Sequence, residues 1–305
     1  MILTEQKIAV LLPCYNEEKT IAAVVKSFQQ HLAGALVYVY DNNSTDNTIA
    51  EATKAGAIVR KELRQGKGSV VRRMFADIEA DIYVMADGDL TYDASKASML
   101  IKLLIDNQLD MVIGARKPLA DAAFRHYHQF GNRVFNRLFR HLFQSNLKDI
   151  FSGYRVFSRR FVKTFPKSSV GFEVETDLSI HALELKLPIM EVPLEYAARP
   201  EGSTSKLRTF RDGFRILLRI MVLFKEVRPF LFFSLGAICL ASISILLSIP
   251  VISEYLATGL VPRFPTAILA TGIMILAFLS FFCGMILDSL ARSRKEIKRL
   301  FYLQQ

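Results

Sequence analysis

The chain has 305 residues, 51% of them hydrophobic and 22% charged, with a formal net charge of +10. That length suits one large domain or one domain with a membrane appendage, and the basic balance admits anionic lipid, phosphorylated ligands or nucleic acid. No zinc-finger, RNP or helix-turn-helix signature is present, which sets nucleic acid aside, and Cys14, Cys239 and Cys283 have neither disulfide-framework nor metal-ligand spacing.

In chain order, Ile8–Leu12, Val37–Tyr40, Ala57–Arg60, Ile82–Ala86 and Met111–Gly114 are short apolar runs that predict buried strands. The first of them is too short for the core of a cleavable signal, so none is expected. Between the runs, Glu18–His31, Asp46–Ala55, Gly68–Ala80 and Ala94–Gln108 carry helical patterns. Such alternation predicts an α/β domain with a doubly wound, mostly parallel sheet. Ligands of such sheets bind in the crevice beyond the carboxyl ends of the strands. Asp41, Asp87 and Asp89 all fall there.

Beyond residue 115 the alternation ends. Arg125–Phe143 reads as a basic-apolar helix, Ile150–Ser158 as a strand, Glu173–Lys186 as a helix and Pro188–Pro193 as one more strand. Lys206–Glu226 is sided: Arg208, Arg211, Arg215 and Arg219 follow one face, and Leu207, Phe210, Phe214, Leu217 and Met221 another. A helix of this kind can lie in the headgroup layer with its arginines toward lipid phosphates. Two uncharged stretches follow, Pro229–Ser253 and Phe264–Leu287, each longer than the roughly 20 apolar residues that cross a bilayer core. Arginines and lysines flank both outer ends, so the positive-inside rule puts both ends in the cytoplasm. The domains expected are a catalytic domain over residues 1–205, an interfacial helix over 206–228, a membrane hairpin over 229–288 and a basic tail over 289–305.

Several residues carry chemistry. Asp87-Gly88-Asp89 closes a buried run, and two carboxylates on alternate residues can share a hard divalent cation that bridges a diphosphate. A solvated polar loop would carry the same letters. Gly66-Lys67-Gly68 opens a helix, where an anionic group can be held, although it lacks the spacing of a Walker loop. Asp149, Ser152, Gly153 and Arg155 form a cluster that is either a buried ion pair or a link between an acceptor phosphate and the reacting sugar. Arg116, Arg125, Asn132 and Arg137 add donors suited to phosphate.

Pro13-Cys-Tyr-Asn-Glu-Glu18, Asp41-Asn-Asn-Ser-Thr-Asp46, Gly66-Lys-Gly68, Asp87-Gly-Asp89 and Ser152-Gly-Tyr-Arg155 occur in that order. Together they resemble the family-two glycosyltransferases of the GT-A fold, in the polyprenyl-phosphate group that includes dolichyl-phosphate mannose synthase. The resemblance covers residues 7 to about 220. It implies that Pro13, Tyr15, Glu17 and Asp41 hold the nucleoside, with Lys67 near the nucleotide. Asp87 and Asp89 would hold Mg²⁺ or Mn²⁺ against the diphosphate, with Gly88 among the residues that bind the donor. A glutamine common two residues after the second aspartate is Thr91 here, at a position that would contact the metal. The second acidic position after the second strand is Asn42. Arg116, Arg125 and Arg155 would receive the lipid phosphate, with Asp149 beside the reacting centre. Arg199 and Lys206 would flank a mobile loop, Gly202-Ser-Thr-Ser205, over the donor.

The activity so implied is transfer of one sugar from a nucleotide-sugar, uridine-linked by analogy with hairpin-anchored bacterial members and GDP-mannose otherwise, to undecaprenyl or dolichyl phosphate. It would invert the anomeric carbon, at the cytoplasmic face of the inner membrane, and feed envelope glycan assembly. The hairpin suggests packing into a homo-oligomer. A processive polysaccharide synthase would bring a Gln-x-x-Arg-Trp motif, and this chain has no tryptophan. A nucleotidyltransferase would bring a glycine-rich loop where Pro13-Cys-Tyr-Asn stands. The reading from a different class is a non-catalytic scaffold or partner of a lipid-sugar flippase.

Overall fold

The computed structural model describes residues 6–118, 137, 139–143, 145–166, 174–197 and 209–304, with backbone alone for residues 118, 209–216 and 219. These residues form two compact units. One comprises the described residues as far as Leu217 together with those from Lys298 onward; the other is Leu218–Ile297.

In the first unit, β1 (Ile8–Cys14), β2 (Leu36–Asp41), β3 (Ile58–Lys61) and β4 (Ile82–Met85) alternate with α1 (Ile21–His31), α2 (Thr48–Lys54) and α3 (Lys67–Asp77). α4 (Ala97–Asp106) leads into β5 (Met111–Pro118), and β6 (Arg155–Ser158), α5 (Arg159–Thr164), α6 (Val174–Leu185) and β7 (Ile189–Tyr196) follow. The sheet order is β3-β2-β1-β4-β6-β5-β7. β1 is parallel to both β2 and β4, and β6 alone runs antiparallel, between β4 and β5. Every residue of β1 and β4 is buried, which explains why both read as unbroken apolar runs. The strand order turns at β1, so the ends of β1, β2 and β4 open on one crevice.

Three predicted strands differ from those observed: β5 continues past Gly114 to Pro118, and the other two lie further along the chain. Ile150–Tyr154 is irregular, and only Arg155–Ser158 is a strand. Its preceding backbone is held otherwise: Gly153 N–H donates to the Tyr92 hydroxyl at 2.9 Å, and Tyr154 N–H to Ser152 Oγ at 3.3 Å. β7 instead runs past Pro193 to Tyr196. It pairs only with β5, and an edge strand tolerates a residue without an N–H. Of the predicted helix Arg125–Phe143, the described residues, Arg137 and 139–143, are helical.

α7 (Thr209–Val227), α8 (Pro229–Thr258) and α9 (Phe264–Leu303) follow. The side chains of Arg208, Arg211, Arg215 and Arg219 lie outside the described residues, so the helix is observed and its basic face is not described. α8 and α9 have 30 and 40 residues, roughly 45 and 60 Å at 1.5 Å per residue, and both are long and apolar enough to cross a bilayer. They pack on each other through small residues: Ser244 Oγ donates to Ala270 O at 2.7 Å and Ser280 Oγ to Phe233 O at 3.1 Å. A Cβ on Gly284 would sit 2.9 Å from that of Phe233. Small residues let apolar helices approach where no hydrophobic effect drives them together. Gly259, at φ +69°, caps α8 in the left-handed conformation, and Arg263 pairs with Glu254 at 2.8 Å.

The end of α9 belongs to the first unit. Lys298 Nζ meets Glu184 Oε2 at 2.6 Å, the Tyr302 hydroxyl donates to Asp110 Oδ2 at 2.7 Å, and the Arg160 guanidinium lies 5.2 Å from the Tyr302 ring centre. The segment expected as a basic tail thus has its last turns packed on the sheet domain.

Candidate active site

The loops after β1 and β2 are laced together at the crevice. Asn16 takes a left-handed conformation at φ +52°; its N–H donates to Ser44 Oγ and its Oδ1 accepts from Thr45 N–H, both at 2.8 Å. Glu17 N–H donates to Thr48 Oγ1 at 2.8 Å. Pro13 is buried, and Tyr15 and Glu17 are half-buried. Asp41 is 1% exposed; its Oδ2 accepts from Ser44 N–H at 3.1 Å, while its Oδ1, equally buried, meets no donor among the described residues. A buried acceptor in that condition costs free energy unless a ligand supplies a donor.

Asn42, one residue on, holds the next loop. Its amide donates to Glu62 O at 2.9 Å and Arg64 O at 2.8 Å, and its Oδ1 accepts from Gly66 N–H at 2.7 Å. Gly66 sits at φ +119°, a conformation open to glycine, and the next residue, Lys67, opens α3. Where an aspartate was expected from the resemblance, an amide that both donates and accepts organises the lysine's loop.

At the end of β4, Asp89 is 2% exposed and its Oδ1 accepts from Thr91 Oγ1 at 2.5 Å and Thr91 N–H at 3.3 Å. Thr91 therefore orients Asp89. Gly88 is demanded by closeness, since a Cβ there would lie 2.8 Å from Cys14 Sγ. Asp87 turns toward the lysine: Lys67 Nζ donates to both Asp87 Oδ1 and Glu175 Oε1. Burial alone would lower the Lys67 pKa, but the two carboxylates outweigh it and hold the ammonium above the ordinary lysine range. Gly153 closes the far side of Asp87, because any Cβ there would come within 2.6 Å of Oδ2.

Along β5, Arg116 is gripped by Asp149: Nε to Oδ2 and Nη2 to Oδ1, each 2.8 Å, with the Arg116 N–H adding 3.0 Å. Burial would raise the Asp149 pKa, yet these bonds and the arginine's charge bring it below the ordinary aspartate range. Glu191 on β7 fixes the Asp149 backbone, accepting its N–H at 2.7 Å and that of Lys148 at 2.9 Å. The Arg116 guanidinium lies 5.7 Å from the Tyr196 ring centre, Tyr196 packs on Tyr92 with ring centres 5.3 Å apart, and the Tyr92 hydroxyl accepts from the N–H of Gly153, which abuts Asp87, so the carboxylate–lysine cluster and the arginine share one crevice.

Arg155 lies behind this cluster, joined to the Glu175 backbone through the Ser179 hydroxyl. It is fully buried and donates to Ser152 O at 2.9 Å, Ile150 O at 2.8 Å and Ser179 Oγ at 3.0 Å, and burial pulls its pKa down to about 10. Its guanidinium frames the 150–155 turn and, wholly buried, presents no face to the lipid phosphate it was expected to receive. The expected ion pair of Asp149 forms with Arg116 and not with Arg155. Arg125, Arg199, Lys206 and the 202–205 loop lie outside the described residues. Sequence reading missed Glu175, Glu191 and Tyr92. Glu175 meets a lysine 108 positions away, and no local spacing announces that.

The domain that carries this crevice matches the model of Glycosyl transferase family 2 over residues 9–165, and the chain belongs to that family. It is a glycosyltransferase of GT-A-type fold that uses a nucleotide-sugar donor. It is 53% identical over half its length to an uncharacterised protein of Shigella flexneri, covering 94% of that protein. With the glycosyltransferase AglJ of Haloferax volcanii it shares 31% identity over 99% of both chains. A dolichol-phosphate mannosyltransferase of Pyrococcus furiosus is 24% identical over 70% of this chain and 64% of that one. Among solved structures, glucosyl-3-phosphoglycerate synthase of Mycobacterium tuberculosis with Mn²⁺, UDP-glucose and phosphoglyceric acid superposes with a TM-score of 0.57 at 25% identity, over 71% of this chain and 80% of that one.

Proposed function

We propose that this chain transfers one sugar from a nucleotide-sugar, a uridine donor in preference to GDP-mannose, to a polyprenyl phosphate, dependent on Mg²⁺ or Mn²⁺ and with inversion. The observation that carries this reading is the pairing, in one crevice, of the Asp87–Lys67 cluster with the Asp149-gripped Arg116, in a chain that ends in two bilayer-length helices.

The donor set suits a divalent cation. Asp87 and Asp89 are carboxylates two residues apart beyond the buried strand β4, hard oxygen ligands of the kind a divalent cation takes. Among the described residues no three His, Cys, Asp or Glu side chains gather to hold a metal; in this reading the donor's diphosphate supplies the remaining ligands. Asp87 and Asp89 would hold it, with Thr91 keeping Asp89 aimed, and bound there it would take up charge on the departing diphosphate. Asp41, with its partnerless Oδ1, suits an N–H of the base, alongside Pro13, Tyr15 and Glu17.

The acceptor needs little general-base help, because a phosphate monoester is already anionic near neutral pH. It does need placing and relief from repulsion by the donor. Arg116 supplies both, and Arg125 belongs to the same proposal. A phosphate oxygen bonds to the anomeric carbon as the bond from that carbon to the nucleoside diphosphate breaks. Asp149 orients Arg116 and takes no proton.

The membrane reading draws on the same chain. Basic residues flank both ends of the hairpin, and the chain returns to the catalytic unit at Lys298, which supports both ends lying on the catalytic, cytoplasmic side of the inner membrane.

Detergent-purified protein incubated with undecaprenyl phosphate, Mn²⁺ or Mg²⁺ and radiolabelled UDP- and GDP-sugars tests the reaction. Label from one donor should enter the organic phase, vanish with EDTA and be lost in Asp89→Ala. Folded protein that transfers from no donor and binds none would return the scaffold reading.

A further inference from the structure

Lys67 is fixed at its base and committed at its tip. Asn42 pins the Gly66 N–H just before it, and its ammonium bridges Asp87 and Glu175. The two carboxylates differ in surroundings: the Glu175 side chain is 8% exposed and that of Asp87 is 29% exposed. Taking the ammonium from Glu175 would remove an ion-pair partner from a buried carboxylate, which is costly, whereas Asp87 keeps partial access to water and to an incoming cation. Gly153 backs the other oxygen of Asp87, so the carboxylate has no room to swing away from Lys67 on that side.

We propose that Lys67 is a resident counter-cation on Asp87 that an incoming divalent cation must displace, and that Glu175 is the positioning residue that retains the displaced ammonium in the crevice for the donor's diphosphate. The proposal rests on the metal and diphosphate reading above. Its consequence is coupling. Metal alone competes with Lys67 for Asp87 and binds weakly. Metal with nucleoside diphosphate binds tightly, because the phosphate offers the ammonium a second anion. By reciprocity the metal strengthens nucleotide binding by the same factor.

Titration of full-length protein in detergent with MnCl₂, reading free Mn²⁺ by electron paramagnetic resonance with and without UDP, separates the possibilities. Wild type should bind Mn²⁺ weakly alone and tightly with UDP. Lys67→Met should bind Mn²⁺ alone about tenfold more tightly, a change within ordinary site–site coupling, while losing affinity for UDP. Lys67→Arg, which keeps the charge, should keep the weak metal binding. Glu175→Gln leaves the ammonium to Asp87 alone and should bind Mn²⁺ alone less well than wild type. Unchanged or weaker Mn²⁺ binding by folded Lys67→Met overturns the competition. If that variant does not fold, unchanged Mn²⁺ binding in Glu175→Gln overturns it instead. Wild type that binds no Mn²⁺ even with UDP would overturn the underlying metal reading, a result distinct from either.

Discussion

His181 shows how far a single side chain can depart from what its letter suggests. It is 2% exposed, with the edges of Phe161 and Phe165 against it and Thr164 Oγ1 at 3.2 Å from Nε2. Burial, with a lesser contribution from the Lys298 charge, pushes its pKa down to about 3. The unfolded chain takes up the proton first, near 6.5. The stability linked to this group is therefore present above pH 6.5 and lost as pH falls from there toward 3. At about 1.4 kcal/mol per pH unit, unfolding in detergent should come roughly 1 to 2 kcal/mol sooner at pH 5 than at pH 7, and His181→Phe should flatten that part of the profile. An equal slope in the variant would assign the effect to other groups. Residues of the crevice divide similarly. Asp41, Asp87 and Asp89 were legible because each follows a buried apolar run, and a strand end is a local property. The partners Glu175 and Glu191 were not, because their contacts lie 108 and 42 positions away along the chain.

At the scale of elements, the clearest departure from expectation is the end of α9. A run of basic residues after an apolar helix reads as a solvated tail, yet its last turns meet Glu184, Arg160 and Asp110. Asp110 is wholly buried and also accepts Ser158 Oγ at 2.6 Å, so the Tyr302 hydroxyl satisfies a buried carboxylate. Tyr302→Phe keeps the ring beneath Arg160 but removes that donor. It should cost about 1 to 3 kcal/mol, the range for a buried acceptor that loses a partner, measured as a lower thermal midpoint of the catalytic domain. A midpoint within error of wild type would show that water replaces the hydroxyl. The shortened β6 has a related origin: the apolar letters of Ile150–Ser158 suggest a strand throughout, but the N–H groups of Gly153 and Tyr154 donate to side chains, while the Tyr154 carbonyl still accepts from Gly114 N–H on β5.

For the whole molecule, the prediction concerns the side of the membrane on which each part of the hairpin lies. With α8 and α9 as a hairpin joined through Gly259, and the chain returning to the catalytic unit at Lys298, the proposed topology leaves only the short connecting turn outside. In intact cells, Thr258→Cys should react with a membrane-impermeant maleimide, and Gln304→Cys should react only after permeabilisation. Both cysteines labelled in intact cells, or neither until lysis, would remove the hairpin topology.

The sequence by itself determined the order of strands and helices, the crevice aspartates and the two bilayer-length helices, because hydrophobic periodicity and length act over short stretches of chain. Only the tertiary structure decided that Arg116 and not Arg155 takes Asp149, that Lys67 stands between Asp87 and Glu175, and that the last turns of α9 close on Asp110. Those pairings join residues from 20 to 192 positions apart. A charged group's partner is chosen by which carboxylates folding buries beside it, and no local pattern along the chain encodes that choice.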